Sequence, residues 1–128
     1  MPVTKIEIKT RHPFADGKSF GDVGAYEQLD GTVEFAIDPD NAANGTIADL
    51  VLAPRSADGL VTFTSDFRIL RPVEPRQGNR RILMDIPNRG KPLALRNINS
   101  APVVTPDAPM DPGNGFLMNQ GYAVVWCA

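Results

Sequence analysis

The residues best placed to do chemistry lie in one turn, Asn88-Arg89-Gly90, which follows the short apolar run Ile82-Leu83-Met84-Asp85-Ile86 and Pro87. Open α/β sheets present ligands at the carboxyl ends of their strands, and this turn falls at such an end. A glycine there lets backbone N–H groups approach a bound oxygen with no Cβ in the way. Amides so placed can stabilise the oxyanion formed during acyl transfer. Asn88, Arg89 and Gly90 are therefore the oxyanion-hole candidate. Tight-turn chemistry alone accounts for the same three residues, so both readings stand at this point.

Other reactive residues point to less. His12, the single histidine, stands beside Pro13 and reads as a surface-loop residue rather than a general base. No serine sits in a G-x-S-x-G elbow. Cys127 closes an apolar run with no histidine near it in sequence, and buried cysteines are usually inert. Asp38, Asp40 and Asn41 resemble the opening of a calcium loop, but the required glycine and glutamate are not at their offsets, so the segment reads as a turn. Dinucleotide, Walker, HExxH and paired Cys-x-x-Cys motifs are absent, and neither a metal nor a cofactor is expected.

The elements that must hold the turn follow from periodicity. Thr4 to Thr10 alternates, with Ile6 and Ile8 against Lys5, Glu7 and Lys9, as a half-buried strand does. Tyr26 to Asp38 reads as extended with a break near Asp30-Gly31, and Ile47 to Leu52 as a further strand. Leu60 to Arg71 is the cleanest strand, with Val61, Phe63, Phe67 and Ile69 on one side. Ile82–Ile86 and Tyr122–Cys127 are nearly continuous apolar runs, the pattern of strands covered on both faces. Between them a short helix is predicted, with Asp111 as N-cap, Pro112 at its first position and Gly121 as its stop. Lys91 to Met110, with Pro92, Pro102, Pro106 and Pro109, reads as a long connection of the kind that is often functional.

Composition bounds the partners. Hydrophobic residues at 42% and charged ones at 22% are ordinary globular usage, and 128 residues can bury one core. A net charge of −2 offers no attraction to nucleic acid or an anionic membrane, and no apolar run is long enough to span a bilayer. The N-terminus lacks a signal-peptide core and the lone Cys127 excludes an internal disulfide, so a cytoplasmic location is expected. Twelve prolines and eleven glycines suit many short strands joined by turns.

Taken in order, several motifs resemble the N-terminal part of a large α/β-hydrolase-domain family. They are Gly24-Ala25-Tyr26-Glu27, Leu29-Asp30-Gly31, Ile47-Ala48-Asp49-Leu50, Leu52-Ala53-Pro54-Arg55, Leu70-Arg71-Pro72-Val73, Asn88-Arg89-Gly90 and Gly121-Tyr122. The Ala-Pro-Arg and Asn-Arg-Gly elements are the most specific. The resemblance implies a serine-hydrolase-like parent acting on a small-molecule ester, with nucleophile, acid and catalytic histidine beyond Ala128. It also implies that the Asn88-Arg89-Gly90 turn fills the donor loop after the third strand, in place of a His-Gly-Gly type.

The expected fold class is thus α/β, truncated. Residues 1–79 are expected to form antiparallel β-rich strands leading into residues 80–128, the first βαβ crossover of an α/β-hydrolase sheet. The remainder of the domain would be needed to complete that sheet. The alternative is a complete small β-rich binding module without catalysis, favoured by the alternating strands of the first seventy or so residues.

Overall fold

The computed structural model describes residues 3–88, 90–103 and 109–127. Six strands form one sheet: β1 (Val3–Pro13), β2 (Ser19–Phe20), β3 (Gly24–Ile37), β4 (Val61–Pro72), β5 (Ile82–Asp85) and β6 (Ala123–Cys127). Their order is β1-β3-β4-β6-β5, with β2 added on the start of β3. The helices are short: α1 (Ala94–Ile98) has five residues and α2 (Phe116–Asn119) four.

This architecture corrects the expected fold class. The described residues make a β-rich and mostly antiparallel sheet, not an α/β hydrolase crossover of parallel strands and helices. The β1–β3, β3–β4 and β4–β6 pairs are all antiparallel. Parallel pairing does form where the pattern placed it, but over only four residues, Ile82–Asp85 against Ala123–Trp126. The physical reason lies in the crossover. Proline recurs through it, and Gly113 and Gly115 take φ of +58° and +73°, so helix survives only as two single turns. Nor is β5 covered on both faces, since Ile82 is 70% exposed and Met84 57%.

Local readings shift for similar reasons. Ile47–Leu52 is not a strand. Asp49 adopts φ +56°, the chain turns 3-10 over Leu50–Leu52, and only Leu50 folds inward onto Ile37 and Val61. The expected break at Asp30-Gly31 is absent, and β3 runs through it paired to β4 over twelve residues. Gly31 permits this because the Glu7 carbonyl and the Phe67 ring occupy the space its Cβ would need. Asp111 does not cap α2. Its Oδ1 accepts from the Gly113 amide 2.7 Å away, while Gly115 takes the N-cap position. The long 91–110 connection contains α1, and residues 104–108 lie outside the described residues.

Because cross-strand partners share a face, the register divides the sheet in two. One face carries Leu70, Val124 and Leu83 in a row, and the main core packs there with Phe14, Phe20, Tyr26, Leu95, Leu117, Met118 and Trp126. Tyr26 is fully buried, and its hydroxyl donates to the carbonyls of Met118 (3.2 Å) and Tyr122 (3.0 Å), joining β3 to the α2–β6 corner. The other face carries Val3, Ile6 and Ile8 from β1, Leu29, Val33 and Phe35 from β3, and Phe63, Phe67 and Ile69 from β4. No helix among the described residues is long and apolar enough to cross a membrane.

Candidate functional site

Asn88 and Gly90 follow β5, which ends at Asp85. Asp85, the last residue of β5, fixes what comes next. Its Oδ2 accepts from the amides of Leu93 and Ala94, both at 2.7 Å, and from the Trp126 indole N–H. Leu93 is the N-cap of α1 and has no side-chain cap of its own, so Asp85 satisfies the helix's first amides from the neighbouring strand. One carboxylate thereby ties β5, β6 and α1 together, and the chain between them must leave and return within a few residues.

That excursion closes on itself. The Asn88 amide donates to the Lys91 carbonyl, and the Lys91 amide to the Asn88 carbonyl, both at 3.1 Å. The Asn88 amide is therefore already used and does not face a ligand oxygen. Gly90 holds φ +74°, and nothing stands within 4 Å of where a Cβ would lie, so this backbone borders open space. Arg89 lies outside the described residues. Of the two described residues, Gly90 is the one whose backbone borders open space.

His12 is far from this turn. It sits on β1, at the opposite edge of the sheet from β5. Four strand spacings separate the two edges, roughly 19 Å. The two cannot act on one substrate atom, which agrees with reading His12 as something other than the general base of this turn.

His12 is nonetheless not a loop residue. It pairs with Gln28 in the β1–β3 ladder and belongs to a polar cluster on the helix-bearing face. Asp30 is the hub. It accepts from Arg68 Nε, from Gln28 Nε2 at 2.7 Å and from Thr10 Oγ1 at 3.4 Å, with His12 Nε2 at 3.7 Å. Burial pushes the Asp30 carboxyl up, but hydrogen bonds from Arg68 and Gln28 and the nearby charges outweigh it and hold it below the usual carboxylate range. The cluster lines an open groove of about 880 Å³ together with Phe14, Lys18 and Met110. Its contacts converge on one carboxylate and tie three strands together. The His12-Pro13 pair reads as a turn in sequence, and nothing local signals that the strand runs on through both residues.

A second ion cluster lies on the other face. Glu27, with its side chain 11% exposed, accepts from Arg71 Nε at 2.8 Å and pairs with Arg11 Nε at 2.7 Å. Burial raises its carboxyl, but the two arginines more than offset this and hold it low. A depressed carboxylate contributes stability that is present above its unfolded pKa and lost as pH falls through its folded value. Glu27 and Asp30 should therefore together make the fold lose stability steeply below about pH 4. Urea midpoints between pH 7 and pH 2 test this, and Glu27→Gln should flatten the slope.

The remaining candidates take structural roles. Asp40 receives both Nη groups of Arg55, at 2.7 and 3.1 Å, and Asp38 and Asn41 accept from backbone amides two residues on, as a turn requires. Cys127 is a free thiol with Sγ 3.2 Å from Ser65 Oγ. No group of three metal-ligating side chains occurs among the described residues. Comparison of the chain with protein-family models, with curated proteins and with solved structures finds no match in any of the three.

Proposed function

We propose that this chain supplies the scaffold and one backbone donor loop of a serine hydrolase acting on a small-molecule ester, its nucleophile, acid and histidine lying outside these 128 residues. The observation that carries the reading is the Gly90 turn. It stands at the carboxyl end of β5, is fixed through Asp85 and borders open space. A donor loop for a tetrahedral oxyanion needs that combination, because rigid amides cost no reorganisation when charge develops. The motif resemblance around Ala53-Pro54-Arg55 and Asn88-Arg89-Gly90 supports the same chemistry. Further polypeptide would lie against β5, whose Ile82 and Met84 are exposed. The setting would be the cytoplasm, where Cys127 stays reduced, with neither nucleic acid nor membrane as partner.

The test is fluorophosphonate labelling of the complete gene product. One serine outside residues 1–128 should label. Gly90→Ala should lower kcat for a p-nitrophenyl ester by about 100-fold with KM little changed, and should also lower the melting temperature modestly, because alanine is strained at φ +74°. Absence of labelling at every serine would overturn the mechanism, and an unaffected kcat would remove the loop from it. A second reading, a β-rich binding module without catalysis, is favoured by the apolar sheet face opposite the core, and the same labelling separates the two.

A further inference from the structure

On the sheet face opposite the core, two guanidinium groups converge on one carboxylate. The Glu27 side chain is 11% exposed, against 60% for Arg11 and 38% for Arg71, so the acid lies beneath and the bases lie outermost. Arg11 spends Nε and Nη2 on Glu27, at 2.7 and 3.0 Å, and Arg71 spends Nε at 2.8 Å. Nη1 of Arg11 and both Nη groups of Arg71 take no acceptor among the described residues. Arginine carries donors and no acceptor, so the outer side of this cluster offers hydrogen-bond donors.

The surroundings leave that positive charge unopposed. In the strand register, the residues that share this face beside the pair are Leu29, Ile69 and Val125, followed by Gly31 with Phe67. No further charged residue of the paired strands falls on this face, and Lys9, at the β1 irregularity, is a cation. The nearest loop charges lie elsewhere or cancel. Asp16, Lys18 and Asp111 line the groove on the helix-bearing side, Asp22 sits in the turn packed on α2, and Glu74 is followed by Arg76.

We infer that Arg11 and Arg71, held by Glu27, form a binding site for a phosphate monoester dianion with an apolar ester group. A clamp between strands needs one fork, because a single bidentate arginine satisfies a carboxylate. The second arginine adds like-charge repulsion, which an anion on the outer side relieves. Guanidinium forks match phosphate oxygens in geometry, and several N–H groups can reach one phosphate at once. Glu27 fixes both forks before the ligand arrives, so less side-chain freedom is lost on binding. Ile69 and Val125 are half-buried and give the ester group an apolar floor next to the charges.

The site does not depend on the hydrolase reading. Its test is calorimetric titration of the chain with phenyl phosphate at pH 8 and constant ionic strength, beside inorganic phosphate. The expected result is saturable binding of one phenyl phosphate per chain, at least five-fold tighter than inorganic phosphate. The Nε–H signals of Arg11 and Arg71 should shift in nitrogen–proton NMR spectra. Binding should weaken several-fold at pH 5, where the ester regains its second proton, whose pKa is about 6. Arg71→Lys keeps the charge and loses the fork, and should weaken binding at least ten-fold with the melt little changed. Should that variant melt early, Arg11→Lys makes the same comparison at the more exposed position. No saturable binding by about 10 mM, or affinity indifferent to both lysine variants, would overturn the site. Equal affinity for inorganic phosphate, or binding to phosphatidic acid vesicles alone, would overturn it as well.

Discussion

Replacing Asp85 with alanine is expected to destabilise the fold by about 3–5 kcal/mol, the range for removing one partner of a partly buried charged hydrogen-bond cluster. Three donors lose their acceptor together: the Leu93 and Ala94 amides and the Trp126 indole. Trp126 is 3% exposed, so its N–H has no ready access to water. The loss falls unevenly. The β5–β6 pair spans only four residues, and α1 has a single turn, so both depend on this carboxylate more than the long β3–β4 ladder does. Hydrogen exchange of the Asp85→Ala variant should show lost protection in β5 and α1 with β3 and β4 still protected. Asp85→Asn keeps one acceptor oxygen and should recover part of the stability. If the urea midpoint of Asp85→Ala moved by the equivalent of less than about 1 kcal/mol, a typical net hydrogen-bond value, the joining role would be wrong.

Gly31→Ala should be comparably damaging, by roughly 3 kcal/mol or more, because added volume in a well-packed site with no room forces the backbone to move. A Cβ at Gly31 would fall far inside van der Waals contact with the Glu7 carbonyl oxygen and within 2.8 Å of the Phe67 ring. The ring could turn, but the carbonyl belongs to the β1 ladder and cannot. β1 should therefore peel from β3, drawing Thr10 and His12 away from Asp30 and weakening its cluster. A thermal melt measures the loss, and proteolysis near Ile8 should accelerate. Phe67→Ala in the Gly31→Ala background should relieve little, which separates the backbone clash from the ring clash.

How much of this was legible in the sequence varied with the kind of signal. Alternation found β1 and β4 as strands, including the shared face of Phe63, Phe67 and Ile69, but the half-burial expected of β1 is absent, since Ile6 and Ile8 are exposed with the rest of the strand. The apolar runs at Ile82 and Ala123 correctly gave a parallel pair, but not its isolation. Reading the latter as the start of a covered α/β sheet extended a four-residue pairing to a whole architecture. Asp30-Gly31 reads locally as a turn, and only the Glu7 carbonyl on β1 and the Phe67 ring on β4 explain why a glycine stands within a continuous strand. The Asp85 role was invisible for the same reason, since its three donors lie eight, nine and forty-one residues away. Asn88 and Gly90 do follow a strand, though not the buried one expected, and the closed hydrogen-bond pair that occupies the Asn88 amide could not be read from residue types.

The strand order has a consequence for how the molecule is made. Among the described residues β5 pairs only with β6, and β6 also supplies the second neighbour of β4. During translation from the N-terminus, β1, β3 and β4 can zip together as soon as they clear the ribosome. β5 must wait, unattached, until some forty further residues have been added. The core partners Val124 and Trp126 arrive on that same late strand, so the nascent chain spends the interval as a three-stranded ribbon whose hydrophobic centre has not yet closed.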